Sequence, residues 1–284
     1  ARVEARFATV NGVRVSYGEG ELNGPDLVFL TGFPESWEDC RPFLEDLERD
    51  FHVFSPSMRG TGRSAHAPPY RIFDWVSDAA AFVREVVGAP VLGVGHSAGA
   101  WFGLSAAGRD PGLFRAFVGL DQPLNPEVHI EFHKTTRPTY AGFAAAMQSA
   151  KGTDDLARRL ASAPSTRGGV LGDRMTATEL LELAAPLATA DPHIFDAWVN
   201  DDLRGWLSVP ELTDWPGRFS GPVLFVYGDP EAGSLVDQDA RGYNLERYPW
   251  AEVAEIPGAD HQLGIDDSPS RVADEIRAYL RRFA

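Results

Sequence analysis

The sequence predicts an α/β protein in which helices cover both faces of a mostly parallel, eight-stranded sheet and a helical lid is inserted once. Three observations carry this prediction. Short apolar runs alternate with amphipathic stretches, a two-residue turn joins the first two runs, and one long segment has only helical periodicity. Alternating strands and helices favour parallel pairing with helices on both sides of the sheet.

The chain begins with two runs of strand pattern, residues 6–10 and 13–17, which are separated by Asn11 and Gly12. Both turn residues tolerate positive φ, and Asn-Gly between two strands is the strongest short signal for a hairpin. The first two strands are therefore expected to be antiparallel, which makes the sheet mixed at this edge.

The remaining core elements follow in alternation. The strand candidates are residues 26–30, 52–55, 90–94, 116–120, 223–227 and 251–256. The helix candidates are residues 37–49, 72–87, 98–108, 237–247 and 268–283.

The alternation is interrupted between Pro123 and Pro216, where apolar residues recur only at helical spacing. The helix candidates in this segment are residues 140–151, 154–161, 176–190 and 193–207. We interpret residues 123–215 as a helical lid, or cap, over the carboxyl edge of the sheet. Residues 1–122 and 216–284 then form the core domain.

Composition and charge limit the partners. The 284 residues include 44% apolar and 24% charged side chains, as in ordinary globular proteins, and the formal net charge is −15. This charge would repel nucleic acid and anionic lipid, so we expect neither nucleic acid nor a membrane as a partner. The sequence has no apolar run of spanning length and no apolar signal region, which favours a cytoplasmic protein. It does not indicate an oligomeric state.

The single cysteine, Cys40, excludes an internal disulfide and a multi-cysteine metal site, and we expect it to be a small buried residue. No group of histidines and carboxylates has metal-ligand spacing, and no glycine motif has the nucleotide-binding pattern. We therefore expect neither a metal nor an organic cofactor.

The most informative motif is Gly95-His96-Ser97-Ala98-Gly99, which follows an apolar run and precedes a helical pattern. A serine on a sharp strand-to-helix turn, with glycines two positions before and after it, is typical of a nucleophile elbow. The amides at the start of the following helix would face negative charge that forms on a substrate. Ser97 is therefore the candidate nucleophile.

Four further landmarks lie after other predicted strands. They are Thr31-Gly32-Phe33-Pro34, the SMRGTGRS segment at 57–64, Tyr227-Gly228-Asp229 and Gly258-Ala259-Asp260-His261. Together with the elbow and in this order, they resemble the alpha/beta-hydrolase fold family over almost the whole chain outside the lid. The resemblance implies the alpha/beta-hydrolase fold and a hydrolase that uses serine as its nucleophile.

A serine hydroxyl needs a base within hydrogen-bond reach, and an acid must orient that base. His261 follows the last strand, where the family carries its catalytic histidine, and is the candidate base. His96 is expected to be a packing residue. The remaining histidines, for which a structural or solvated role is expected, are His52, His66, His129, His133 and His193.

Two carboxylates are candidates for the orienting acid. Glu231 lies three residues after Gly228, which is the commoner family position, whereas Asp121 follows the sixth strand, a second arrangement in the same fold. Stretches around residues 64–69, Asp121 and 228–238 resemble the zearalenone hydrolases, in which the acid follows the sixth strand. This likeness favours Asp121 and suggests a resorcylic macrolactone as substrate.

The family resemblance also implies an oxyanion hole and a substrate pocket. Backbone amides of Ala98 and of Gly32 or Phe33 are expected to bind the developing negative charge. The family usually has histidine where this chain has Thr31. Large apolar lid residues would line the pocket, and Trp198 and Trp206 are the candidates for substrate contact.

The predicted activity is hydrolysis of a small-molecule carboxylic ester or lactone through an acyl-enzyme. Haloalkane dehalogenases and epoxide hydrolases share the fold but use aspartate at the elbow, so Ser97 argues against both. The alternatives that the sequence leaves open are a serine-dependent carbon-carbon bond hydrolase, a perhydrolase and a small-molecule receptor with little or no turnover.

Overall fold

The structure, a computed structural model, describes residues 3–207, 218–265 and 270–284. Its centre is an eight-stranded sheet in the order β1-β2-β4-β3-β5-β6-β7-β8. The pairings β1 with β2 and β2 with β4 are antiparallel, and all the others are parallel. The strands are β1 Glu4–Val10, β2 Val13–Glu19, β3 Asp26–Leu30, β4 His52–Pro56, β5 Val91–His96, β6 Phe114–Leu120, β7 Val223–Tyr227 and β8 Glu252–Glu255.

The first two strands form the predicted hairpin. Val10 pairs with Val13, and the two intervening residues have positive φ, 48° at Asn11 and 75° at Gly12. Positive φ at both positions matches the twist of the flanking strands. This hairpin forms one edge of the sheet.

Helices cover both faces of the sheet, as the sequence predicted. The core helices are α1 Arg41–Leu47, α2 Ile72–Ala81, α3 Ala98–Arg109, α9 Gln238–Arg247 and α10 Arg271–Leu280, and α2 continues into a π-helical turn at Phe82–Val87. Residues of α1 and α10 pack in one apolar cluster and those of α2 and α3 in another. Phe117 of β6 belongs to the second cluster and its neighbours Ala116 and Val118 to the first, because successive strand residues face opposite sides.

Helices follow between β6 and β7. They are α4 Pro126–Ser149, α5 Thr153–Leu160, α6 Ala177–Leu187, α7 Asp196–Val199 and α8 Leu203–Leu207, with short 3₁₀ turns at Leu171–Asp173 and Pro192–Phe195. The predicted boundary at 215 and 216 lies outside the described residues. None of the helices within residues 3–207, 218–265 and 270–284 is both long and apolar enough to cross a bilayer.

Two helix predictions in this insertion were wrong. Helix α4 begins at Pro126 rather than at residue 140. The sequence carries little signal for its first half, because apart from Ile130 the residues buried there, His129, His133 and Thr136, are not apolar. The predicted helix at 193–207 is divided into a 3₁₀ turn, α7 and α8. Asp201, with φ of 57°, interrupts the helical backbone there.

Candidate active site

Ser97 lies on a strained turn between β5 and α3, with φ of 51° and ψ of −127°. A Cβ atom on Gly99 would lie 2.1 Å from the carbonyl oxygen of Leu30, and one on Gly95 would lie 2.5 Å from backbone atoms of Gly99 and Ala100. Both glycines are therefore required by close backbone approach. The turn holds the serine at the carboxyl edge of the sheet, at a conformational cost of about 1–3 kcal/mol.

His261 and Asp121 come from two other loops at the same edge. Asp121 directly follows β6, His261 lies in the loop after β8, and their Nδ1 and Oδ2 atoms are 2.8 Å apart. Ser97 and His261 line one cavity of about 670 Å³. The structure thus brings together the candidate nucleophile, the candidate base and one of the two candidate acids.

The carboxylate of Asp121 is completely buried and accepts four hydrogen bonds. Its Oδ1 accepts from the amide of Gly228 (3.1 Å) and the hydroxyl of Ser234 (2.5 Å), and its Oδ2 accepts from the amide of Leu235 (2.9 Å) and from His261. Burial alone would raise the pKa of Asp121, but the hydrogen bonds from His261, Ser234 and Leu235 lower it below its usual value. The group is therefore a carboxylate at neutral pH.

The bond to Asp121 assigns the proton on His261. A carboxylate only accepts hydrogen bonds, so Nδ1 carries the hydrogen and Nε2 has a free lone pair. Burial lowers the pKa of His261 below its usual value, although Asp121 opposes this effect. The ring is neutral at pH 7, in the form that can take a proton.

Glu231, the alternative acid, is exposed in the turn after β7. Its backbone amide donates to Oδ1 of Asp229 at 2.9 Å, and the structure gives no hydrogen bond between its side chain and His261. The geometry therefore favours Asp121 as the group that orients His261.

The three residues predicted for the oxyanion hole all line the cavity. Ala98 is the first residue of α3, and the amides of a first helical turn have no acceptor within their own helix. Gly32 lies so near the elbow that a Cβ atom on it would be 3.3 Å from Cβ of Ser97. Where the family usually has histidine, the hydroxyl of Thr31 donates to the carbonyl of Glu35 at 3.3 Å and holds the loop.

Glu35 and His96 form a second histidine and carboxylate pair beside His261, which sequence reasoning missed. Nε2 of His96 donates to the carbonyl oxygen of His261 at 2.9 Å, and its Nδ1 lies 3.9 Å from Oε2 of Glu35, too far for a hydrogen bond. Burial lowers the pKa of His96, but the neighbouring carboxylate outweighs burial and raises it. The only available sequence signal was that Glu35 directly follows the motif at residues 31–34 and that His96 belongs to the elbow motif.

The two tryptophans predicted to contact substrate have different positions. Trp206 lines the cavity, and its indole N–H donates to the carbonyl of Tyr70 at 2.9 Å. Trp198 is fully buried behind the cavity wall and stacks on Phe33, with ring centroids 5.2 Å apart. Trp198 thus positions Phe33.

Two histidines without a predicted functional role, His129 and His133 of α4, also line the cavity. Both are buried, and their Nε2 atoms are 2.8 Å apart. Sequence reasoning assigned them to structural or solvated positions because neither lies beside a recognised motif. Their spacing of four residues on one helix was the signal that could have placed them together.

A sequence model of the alpha/beta hydrolase family matches residues 27–275, and the chain therefore belongs to this family. Among its relatives, the 2-(acetamidomethylene)succinate hydrolase of Mesorhizobium japonicum is 26% identical over 261 residues, which cover 88% of each chain. Ethanol acetyltransferase 1 of Kluyveromyces lactis is 24% identical over 234 residues, which cover 77% of this chain and 62% of that protein.

Solved structures show the same fold. The crystal structure of E-2-(acetamidomethylene)succinate hydrolase superposes with a TM-score of 0.73 at 22% identity, covering 98% of this chain and 99% of the other. A thermophilic esterase from Thermogutta terrifontis has a TM-score of 0.70 at 19% identity, and 99% of each chain is covered. The narrower likeness to zearalenone hydrolases stays a prediction.

Proposed function

We propose that this family member is a serine hydrolase that cleaves a carboxylic ester or lactone through an acyl-enzyme. The observation that carries the proposal is the 2.8 Å contact between His261 and the buried Asp121, in a cavity that His261 shares with Ser97. Ser97 is the nucleophile, His261 the base and Asp121 the acid. Residues of the described inserted helices, within the predicted lid at 123–215, line this cavity.

In the acylation step, Oγ of Ser97 attacks the substrate carbonyl carbon while Nε2 of His261 takes the hydroxyl proton. The amides of Ala98 and of Gly32 or Phe33 donate to the carbonyl oxygen as it becomes negative. The carbon-oxygen bond to the alcohol then breaks, and His261 returns its proton to the leaving oxygen. Asp121 stabilises the imidazolium that exists between these two proton transfers.

In the second step, His261 takes a proton from water, and the resulting hydroxide attacks the acyl carbon bound to Ser97. The bond to Oγ breaks, the proton returns to Ser97, and the carboxylic acid leaves. For a lactone the alcohol stays tethered to the acyl group, so a single hydroxy acid is released.

The most specific substrate that we propose is a resorcylic macrolactone. Two points support it: the predicted likeness of residues 64–69, the Asp121 segment and residues 228–238 to zearalenone hydrolases, and the cavity of about 670 Å³, which is in the range of pockets for drug-sized ligands. A screen of aryl esters, simple lactones and macrolactones tests this substrate class. Equal kcat/KM for all three would contradict the macrolactone while leaving the serine mechanism intact.

The mechanism is tested with the Ser97→Ala variant and a serine-directed organophosphate. We expect the parent protein to hydrolyse an activated aryl ester, to be labelled on Ser97, and to lose at least about 10⁴-fold in kcat when Ser97 is replaced. Ser105→Ala is the matched control, because Ser105 is a buried serine of α3, the helix that directly follows Ser97. If the parent and Ser97→Ala hydrolyse the ester equally and neither is labelled, the proposal is wrong and a receptor role is favoured.

A further inference from the structure

A hydrogen-bonded pair of histidines lies in the part of the cavity wall that the inserted helices form. His129 and His133 are 6% and 4% exposed and lie one turn apart on α4. Three tryptophans pack around the pair: the ring of Trp101 is 4.8 Å from that of His129, Trp198 is 5.0 Å from His133, and Trp206 stacks on His129 at 6.1 Å. Trp101 belongs to α3, the helix that begins directly after Ser97, so the pair packs against that helix.

Gln122 assigns the hydrogens of the pair. Its amide nitrogen donates to the carbonyl of Pro123 at 2.6 Å, which fixes the orientation of the amide, and the same nitrogen lies 3.5 Å from Nδ1 of His129. A hydrogen on that Nδ1 would face another donor, so Nδ1 is the acceptor and Nε2 carries the hydrogen. The Nε2–H of His129 then donates to Nε2 of His133, and the hydrogen of His133 is on Nδ1.

The described residues supply no acceptor for this last donor. Nδ1 of His133 is buried without a hydrogen-bond partner, as are the indole nitrogens of Trp198 and Trp101. Indole nitrogens only donate, so the cluster around the pair has more donors than acceptors. Buried polar groups in proteins are nearly always paired, and a bound molecule that carries an oxygen acceptor would complete this set.

The charges around the cavity determine which acceptor fits. No lysine or arginine lines it within the described residues, and its two carboxylates are Glu35 and Glu131. Burial lowers the pKa of His129 to about 3 and that of His133 well below its usual value, so neither ring carries a positive charge at neutral pH. An anionic group would meet no opposite charge here, whereas a ketone, ester or hydroxyl oxygen needs only a neutral donor.

We propose that His129 and His133 form the specificity subsite of the cavity and select a neutral ester or lactone that carries a second, uncharged oxygen acceptor. His133 donates from Nδ1 to that oxygen, and Gln122 and His129 hold its ring in the donating tautomer. The inference rests on the proposed function, because the first oxygen is the carbonyl that Ser97 attacks. A preference for a neutral substrate would distinguish this chain from its relative that is named as a hydrolase of a succinate, which is a dicarboxylate.

The subsite is tested with matched esters. One series contains ethyl hexanoate, ethyl 5-oxohexanoate and monoethyl glutarate, and the other contains pentyl acetate and 4-oxopentyl acetate, so the second oxygen is offered on either side of the scissile bond. In at least one of the two series we expect the ketone ester to have a kcat/KM about tenfold higher than that of the plain ester. This factor corresponds to the free energy of one hydrogen bond. We expect the carboxylate of glutarate to lower kcat/KM at least about tenfold.

The His133→Phe variant should bring the ratio of ketone to plain ester close to one, and His133→Gln, which keeps a donor, should restore part of it. Phe143→Leu is the control, because Phe143 lines the same cavity without a polar atom and should change both esters alike. An unchanged ratio in folded His133→Phe, while Ser97→Ala stays inactive, would overturn the subsite and leave the proposed function intact.

A second measurement does not depend on turnover or on the stability of the histidine variants. In the Ser97→Ala protein with ¹⁵N-labelled histidine, Nδ1 of His133 and Nε2 of His129 should show the shifts of protonated ring nitrogens. Addition of ethyl 5-oxohexanoate should move the Nδ1 signal of His133, and ethyl hexanoate should not. The opposite tautomers, or equal responses to both esters, would contradict the proposal even if no ester were hydrolysed.

Discussion

Two hydrogen-bonded pairs that contain histidine meet at the same cavity, and they differ in the partner. In both pairs the bonded atoms are 2.8 Å apart, but His261 faces a carboxylate and His133 faces a second imidazole. Burial lowers the pKa of each histidine, and only at His261 do negative charges oppose it, chiefly Asp121 and to a smaller extent Glu35. A buried imidazole can serve as a base when a neighbouring charge stabilises its protonated form, whereas without that charge it serves as a neutral hydrogen-bonding group.

The largest expected effect comes from removing the charge of the first pair. We expect Asp121→Asn to lower kcat by about 10⁴-fold, because the imidazolium formed during catalysis loses its stabilising carboxylate and the ring its fixed tautomer. The amide NH₂ would replace one carboxylate oxygen and would therefore face two of the four donors that now bond to the carboxylate. Steady-state kinetics on an activated aryl ester measures the effect, and a thermal melt confirms that the variant is folded.

The control for this prediction is Glu231→Gln, since Glu231 is exposed and is the other carboxylate that the sequence allowed. We expect its kcat to stay within about twofold of the parent, as for surface substitutions away from a site. Near-normal activity in Asp121→Asn together with an inactive Glu231→Gln would reverse the assignment of the acid.

The choice between these two carboxylates shows where the sequence was sufficient and where it was not. The Ser97 elbow was predictable because its glycines are required by close backbone approach, of Gly95 to the turn itself and of Gly99 to Leu30 at the end of the neighbouring strand β3. The acid was not, because Asp121 and Glu231 both follow a strand end, and only the path of the loops in space decides which reaches His261. The order of strands and helices was predictable because it rests on periodicity.

The inserted helices were less predictable for a related reason. The first half of α4 buries His129, His133 and Thr136 with Ile130 as its one apolar residue, so its buried face has helical spacing but no apolar pattern. Similarly, Trp198 and Trp206 look alike in the sequence, and only packing places one behind the cavity wall and the other on it. Polar residues that become buried at a site remove the signal on which such predictions depend.

The burial of His129 and His133, the second pair, leads us to expect that the free energy of unfolding depends on pH. Between its lowered folded pKa and an unfolded value of about 6.5, a histidine binds a proton only in the unfolded state, so stability falls as pH falls. His129 and His133 should each lower the free energy of unfolding by up to about 1.4 kcal/mol per pH unit below pH 6.5. Asp121, whose pKa is also lowered, contributes only nearer pH 4.

Urea unfolding at pH 7, 6 and 5 measures this slope. The double variant His129→Phe and His133→Leu should show a shallower loss of stability over this range than the parent. His193→Gln, at an exposed histidine, should leave the slope unchanged. Equal slopes in the parent and the double variant would mean that the pair takes up protons while folded, and the contrast with His261 would then fail.

The smallest effect is expected at His96, which is intermediate between the two pairs. Its Nδ1 lies 3.9 Å from the carboxylate of Glu35, near enough for attraction but not for a hydrogen bond, and its Nε2 holds the carbonyl of His261. Burial opposes ionisation of Glu35, but His96 lowers its pKa below the usual value, and the carboxylate in turn raises the pKa of His96. Glu35→Gln removes that charge, so His96 should be protonated less and its bond to His261 should on average be weaker, since hydrogen bonds from a charged donor are stronger.

We expect Glu35→Gln to lower kcat about threefold to tenfold with little change in KM, because a charge-assisted bond is roughly twice as strong as a neutral one and this bond positions the base rather than the substrate. Glu38→Gln, in the same loop but paired with Arg63 at 3.0 Å, is the matched control and should keep the parent kcat. A change confined to KM would mean that Glu35 acts on the substrate in the cavity. A graded loss from Asp121→Asn through Glu35→Gln would show that the role of each histidine follows its distance from a carboxylate.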